Sequence, residues 1–297
     1  MNSDVEAATP ALCRLQLGNE LRQLRLAAGL KGSQVVSKLR WSPSKLTRLE
    51  TGENASVEPD DVAALCDIYQ AGTEARERLH GYAVVTCIKR DWWHSREYRP
   101  VIGAGLKAFL DLEATATSLQ TYESEFVPGL LQTEAYVYAI HQIHQRAREA
   151  LSAQDMDRMA AVRTTRAEVL SRPDSPLKFT AIVNEAVLRR PVGRPPVMRD
   201  QLTHIVEVVE SLPNVRVQVM PFRVGAHAGM DGPFVVIHFP ERLALKPMIY
   251  LENLSDAWVK RSDSDVEQYG DAFSDLQALA PGPQESLSMI KEAIKEH

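Results

Sequence analysis

An α+β chain of two domains is the architecture that the sequence predicts: a bundle of five short helices, then helices around a small sheet. Three observations carry it. The chain has 297 residues, roughly twice the length of a typical domain. Apolar residues recur at helical spacing through the first ninety residues, punctuated by glycine and proline. From about residue 105 the texture shifts to helical runs mixed with short β-type runs between Pro/Gly turns. The expected division is 1–90 and 105–297. The joint near Thr86–Gly105 is not flexible in composition, and its Asp91-Trp92-Trp93 is expected to pack between the domains.

Each N-terminal helix has its own signal. Leu17, Leu21, Leu24 and Ala28 form one apolar stripe, stopped by Gly29. A second helix is expected from about Gly32 to Leu39, with Val35, Val36 and Leu39 inward. Ser42 is a good N-cap and Pro43 suits the first helical position of a third helix, which buries Leu46 and Leu49 and ends at Gly52. Pro59 opens a fourth on Val62, Leu65, Cys66 and Tyr69, and a fifth runs from about Thr73 to Ile88.

Two short helices joined by a tight turn and wrapped by others have the helix-turn-helix layout, whose second helix enters the major groove of DNA. The formal net charge of −5 argues against such a partner until it is divided. Residues 14–48 carry eight basic residues against one acid, Glu20, a balance of +7, while the chain from Asp91 onward is acidic. The candidate DNA-contacting residues are Lys31, Ser33, Lys38 and Arg40, then Ser42, Pro43, Ser44, Lys45, Thr47 and Arg48. Among them Arg48 has the chemistry to pair bidentately with a guanine, and Ser44 and Lys45 suit bases or phosphate. A single short reading helix addresses few base pairs, so a homodimer on a palindromic double-stranded site is expected.

The stretch GLKGSQVVSKLRWSPSKLTRLETG resembles the helix-turn-helix of the phage-repressor-like (XRE) family, through Gly29, Leu30, Leu39, Ser42, Ser44, Leu46, Arg48, Leu49, Glu50 and Gly52. The resemblance implies that Arg25 and Glu50 pair structurally. Gly32 replaces a glutamine that the family often places on DNA, and Arg40 replaces a small turn residue. The loop Glu53-Asn54-Ala55, frequently basic in relatives, carries no cation, which leaves Lys31, Lys38 and Arg40 to compensate.

In the second half, helical spacing in Phe109, Leu112, Thr115, Ala116 and Leu119 is followed by the turn Phe126–Gly129. Helices are expected at Leu130 to about Arg148, about Gln154–Ser171, about Arg199–Leu212, Ser264–Leu279 and Pro283–Glu296. Strands are expected at Lys178–Val183, Val215–Met220, Phe234–Phe239 and Met248–Leu251; the alternation in Val215–Val219 suits a sheet with one solvated face. Glu125–Tyr136 is similar to a PGLLQT-containing motif of a domain of unknown function that follows such helix-turn-helices in actinomycete regulators. Further matches are Asn184–Gly193, Pro213–Phe222 and Gly225–Phe234. The resemblance implies an antitoxin-like transcriptional regulator, often paired with a small partner protein.

Chemistry beyond binding finds little support. His141 and His144 lack the glutamate and the spacing of a zinc helix, and no third ligand is in view. Gly225–Gly229 has no lysine of a phosphate loop, so its glycines are expected to shape a loop, with His227 a modest ligand candidate. Arg158, Arg163, Arg166 and Arg172 fit a solvated face with a buried pair, or a surface for an anionic effector or acidic partner. Cys13, Cys66 and Cys87 form no disulfide framework or zinc ribbon. No serine sits in a nucleophile elbow. The expectation is a non-enzyme without cofactor or metal. The N-terminus lacks a secretory leader pattern, and no apolar run reaches the ~18 residues of a spanning helix, so a cytoplasmic address is expected. The alternatives to a DNA-binding regulator are a partner-sequestering module and a small-molecule sensor.

Overall fold

A computed structural model describes residues 10–54, 56–88, 91–98, 100–145, 152–173, 175–241, 245–253 and 256–297. The chain forms two compact units. The first spans the N-terminal residues to 99 with 107–115 and 241–245; the second takes 100–106, 116–240 and 246–297. The segment 107–115, which sequence pattern assigns to the second domain, thus belongs to the first unit.

The first unit contains α1 (Pro10–Ala27), α2 (Gly32–Leu39), α3 (Pro43–Thr51), α4 (Pro59–Tyr69) and α5 (Thr73–Ile88), the five expected helices, and most of α6 (Ala104–Thr115). Leu17 and Leu21 of α1 meet Val35, Leu46, Leu49, Leu65 and Leu79 in one core. The stripes expected on α3 and α4 therefore face inward, as do Leu17, Leu21 and Leu24 of α1, whereas Ala28 lies beyond the end of α1 and is exposed.

Beside that core lies a buried polar network. Arg14, 1% exposed, donates to Asp111 Oδ1 at 2.6 Å and to Asp91 Oδ2 at 3.4 Å. Trp93 Nε1 also donates to Asp111 Oδ1, at 2.8 Å, and His94 Nε2 lies 2.9 Å from the same oxygen. Asp91 and Trp93 are thus engaged inside the first unit. The ligand atoms of Asp91, His94 and Asp111 lie within 4.8 Å of one another, a spacing that suits a metal ion, but Arg14 Nη2 reaches all three and supplies the positive charge there.

The second unit is built on a six-stranded sheet in the order β3-β2-β1-β4-β5-β6. Strands β1 (Ser118–Glu123), β2 (Lys178–Asn184) and β3 (Val215–Met220) are parallel; β4 (Phe234–His238), β5 (Met248–Glu252) and β6 (Ala257–Lys260) continue antiparallel. Crossovers run through α7 (Glu134–Gln145) and α8 (Ala153–Ala167), then through α9 (Glu185–Arg189) and α10 (Pro195–Ser211). Phe273 and Leu276 of α11 (Asp263–Leu279) pack on Tyr122, Ile182, Met220, Phe234 and Ile249 from one face. The last helix, α12 (Pro283–Glu296), packs on β3 and α10.

Several expectations are corrected. Leu119 lies in β1, not in a helix: α6 ends at Thr115 and this central strand begins three residues later. The PGLLQT segment is a short 3-10 turn at Gly129–Leu131, and the following helix begins only at Glu134. The polar face of strand β3 is solvated only at its start: Arg216 is exposed, but Gln218 is buried, its Nε2 donating to Pro281 O at 2.9 Å, and Ser286 Oγ accepts the Val219 N–H. The Gly225–Gly232 loop is shaped by its glycines, as expected; Gly229 lies so close to the Tyr122 ring that a Cβ would stand 2.5 Å from it.

Thr121, Glu123 and, across β4, Tyr250 share the other face. Burial pushes the Glu123 carboxyl up to about 7; the Thr121 hydroxyl opposes this, Glu252 adds to it, and Arg163 and Arg166 pull back. Between the ordinary value of 4.5 and about 7, the folded chain holds a proton that the unfolded chain releases, so this group removes stability as pH rises through that window. Glu123→Gln, which cannot ionise, is expected to gain stability over the wild-type chain from about pH 4.5 upward and to level off above about 7. Urea midpoints across the window check it; a difference that does not vary with pH refutes it.

Candidate nucleic-acid interface

The surface formed by α2, its turn and α3 is set by local chemistry. Gly29 ends α1 in the left-handed region at φ 68°, and the Lys31 N–H donates to Gln34 Oε1 at 2.7 Å to open α2. Arg40 closes α2 in the left-handed conformation, φ 54° and ψ 39°, where a side chain is tolerated at a cost of about 1 kcal/mol. Its N–H donates to Val36 O. Ser42 then caps α3, its Oγ accepting the Lys45 N–H at 3.2 Å; Pro43 takes the first helical position. Gly52, φ 74°, ends α3 with its N–H on Arg48 O and Leu49 O.

The clamp beneath this surface is the Arg25–Glu50 pair. Arg25 Nε and Nη2 donate to the two Glu50 oxygens at 2.6 and 2.7 Å, and Nη1 to Leu30 O at 3.0 Å. One guanidinium therefore ties α1 to α3 and to the turn that leads into α2. The hydrogen bond to Glu50 pushes that guanidinium above its ordinary pKa.

Of the ten residues singled out by sequence, nine are exposed: Lys31, Ser33, Lys38, Arg40, Ser42, Pro43, Ser44, Thr47 and Arg48. Ser42 and Thr47 are partly used internally, Ser42 as the cap and Thr47 by donating to Pro43 O at 3.0 Å. Lys45 differs: its Nζ lies 2.7 Å from Asp61 Oδ2 and 4.0 Å from the centroid of the Trp41 ring.

The basic balance of 14–48 also divides in space. Arg14 is buried on Asp91 and Asp111, Arg25 is held by Glu50, and Lys45 by Asp61. Lys31, Lys38, Arg40 and Arg48 are exposed and form no ion pair among the described residues, as is Arg22 on α1. Asp61 and Trp41 are neighbours of Lys45 that sequence pattern missed; no spacing rule joins a lysine at the start of one helix to an aspartate sixteen residues on. Glu53 is exposed in the loop after α3, and Ala55 lies outside the described residues.

In the second unit, the side chain of His144 lies outside those described, so the His141/His144 pair is not placed. His227 Nδ1 accepts the Gly229 N–H at 3.2 Å, and burial lowers the ring's pKa. Arg166 is 5% exposed, and its guanidinium and that of Arg163 close on Gly129, where an added Cβ would lie 3.0 and 3.1 Å from them. Arg158 pairs with Asp155, and Arg172 donates to Ala116 O.

Two family models match this chain. One, described as a helix-turn-helix domain, covers residues 16–79; the other, described as a domain of unknown function (DUF5753), covers residues 106–292, well over half of the chain. No curated protein and no solved structure gives a significant match. Among the described residues, no helix is long and apolar enough to cross a membrane.

Proposed function

We propose that this chain, which belongs to the DUF5753 family and carries a helix-turn-helix domain ahead of that domain, is a sequence-specific DNA-binding transcriptional regulator. It acts in the cytoplasm as a homodimer on a palindromic double-stranded site, and its C-terminal domain receives a signal, from a small molecule or a small partner protein, without catalysis. The observation that carries the proposal is the placement of charge. The cations at the base of the helix-turn-helix are paired, whereas Lys31, Lys38, Arg40 and Arg48 stand exposed around its reading face with no ion pair among the described residues. Unpaired cations beside an exposed helix N-terminus are what phosphate anchoring and base readout require.

Footprinting on the DNA upstream of the chain's own gene, with selection from a random-site library, tests it. Arg48→Ala is expected to weaken specific binding by about 1–3 kcal/mol and to relax preference at one base position. Lys38→Ala is expected to weaken binding uniformly and to lower the salt slope by about one. If both variants bind the selected site as the wild-type chain does, α3 is not the reading helix.

A further inference from the structure

We infer that Asp61 sets the specificity of this surface by holding Lys45 away from the DNA phosphates; the inference rests on the DNA-binding function proposed above. Lys45 is the third residue of α3, between the exposed Ser44 and the exposed Thr47, on the turn expected to approach DNA first. Its ammonium does not stand free. It lies 2.7 Å from Asp61 Oδ2 and 2.9 Å from Oδ1, over the face of Trp41. The carboxylate takes the place that a phosphate would take, and the indole removes a further part of the ammonium's exposure. Asp61 is itself fixed. It lies in the first turn of α4, behind Pro59 at the first helical position, where the helix dipole favours a negative charge.

Lys31, Lys38, Arg40 and Arg48 have no such partner among the described residues, so the pairing selects one cation out of the reading face. A lysine on phosphate adds affinity for every sequence alike, because phosphates carry no sequence information. Engaging Lys45 in an internal pair subtracts about one phosphate contact from the sequence-independent part of binding and leaves the base contacts of α3 untouched. Asp61 is therefore a positioning residue that acts through Lys45, and its effect falls on discrimination between sites.

The test uses the full chain, a short mixed-sequence duplex and the duplex enriched from a random-site library, with Kobs measured between about 50 and 200 mM salt. Asp61→Asn is expected to steepen the salt slope on the mixed-sequence duplex by about 0.9, an additional loss of about threefold across that range. It should also narrow the affinity ratio between the two duplexes. Asp60→Asn, which removes an equal charge at the exposed neighbour, steepens the slope less. Asp61→Glu keeps the wild-type slope, and Asp61→Asn combined with Lys45→Ala returns to the slope of Lys45→Ala alone. Equal slopes for Asp61→Asn and Asp60→Asn, or a steep slope that survives in the double variant, overturn the inference and leave the DNA-binding function standing. Failure of the wild-type chain to bind either duplex overturns both.

Discussion

Arg14→Ala is expected to lower the stability of the first unit by about 3–5 kcal/mol, the loss that follows when one partner of a buried ion pair is removed. The side chain is 1% exposed, and the two carboxylates that it serves are nearly as enclosed, with side-chain exposures of 6% for Asp91 and 12% for Asp111. Without the guanidinium, Asp111 keeps Trp93 and His94 as partners, but the two carboxylates lose the cation that lies between them. Burial already raises the Asp91 carboxyl above its ordinary pKa, and Arg14 is the main force holding it down. Its removal therefore raises that carboxyl further. A raised carboxylate pKa penalises the folded chain at pH above it, so the loss should shrink as pH falls and the group protonates. Urea unfolding of the wild type and the variant over acidic and neutral pH measures both effects. A loss below about 1 kcal/mol, or one that does not change with pH, refutes the role assigned to Arg14.

Arg14 also shows where the sequence is legible and where it is not. Counted along the chain, it is one of eight cations in a basic stretch; in space it faces the core and is neutralised by residues 77 and 97 positions away. Charge counting has no access to such distances. The first four helices of the first unit are readable because they are punctuated locally, by Gly29, by Ser42 with Pro43, by Gly52 and by Pro59, and because their apolar residues recur at helical spacing. The Arg25–Glu50 clamp was accessible only through family resemblance. In the second unit, β1 escaped notice because Ser118-Leu119-Gln120-Thr121-Tyr122-Glu123 is half polar and follows a helical stripe directly. A strand flanked by β2 and β4 is usually apolar on both faces. This one buries Thr121, whose hydroxyl donates to Phe234 O, and largely covers Glu123, so its polarity reflects buried hydrogen bonding. Gln218 misled in the same way: a polar residue alternating with valines signals a solvated face, unless, as here, backbone carbonyls at a helix end receive its amide.

Gly18→Ala is expected to destabilise the chain by up to about 3 kcal/mol and to impair DNA binding with it. The sign is what makes the experiment decisive. Glycine inside a helix costs about 1 kcal/mol relative to alanine, so propensity alone predicts that the exchange stabilises α1. Packing predicts the reverse. A Cβ at position 18 would stand 2.5 Å from the Leu49 carbonyl oxygen and 2.9 Å from that of Glu50, both backbone atoms of α3 that no side-chain rotation can move aside. Helix α3 would have to retreat from α1. Its last turn bears Glu50 of the clamp and leads into Gly52, which is wedged against the backbone of Arg14, with an added Cβ only 3.2 Å from it. A retreat would thus loosen the two restraints that fix the direction of α3. Gly270→Ala supplies the comparison, because Gly270 lies inside α11 with no atom within 4 Å of an added Cβ. There the propensity gain of about 1 kcal/mol should appear unopposed. Urea unfolding of the two variants, with footprinting of the Gly18 variant, separates the cases. If both exchanges stabilise, α1 and α3 are not in the close approach described, and the geometry of the reading face falls with it.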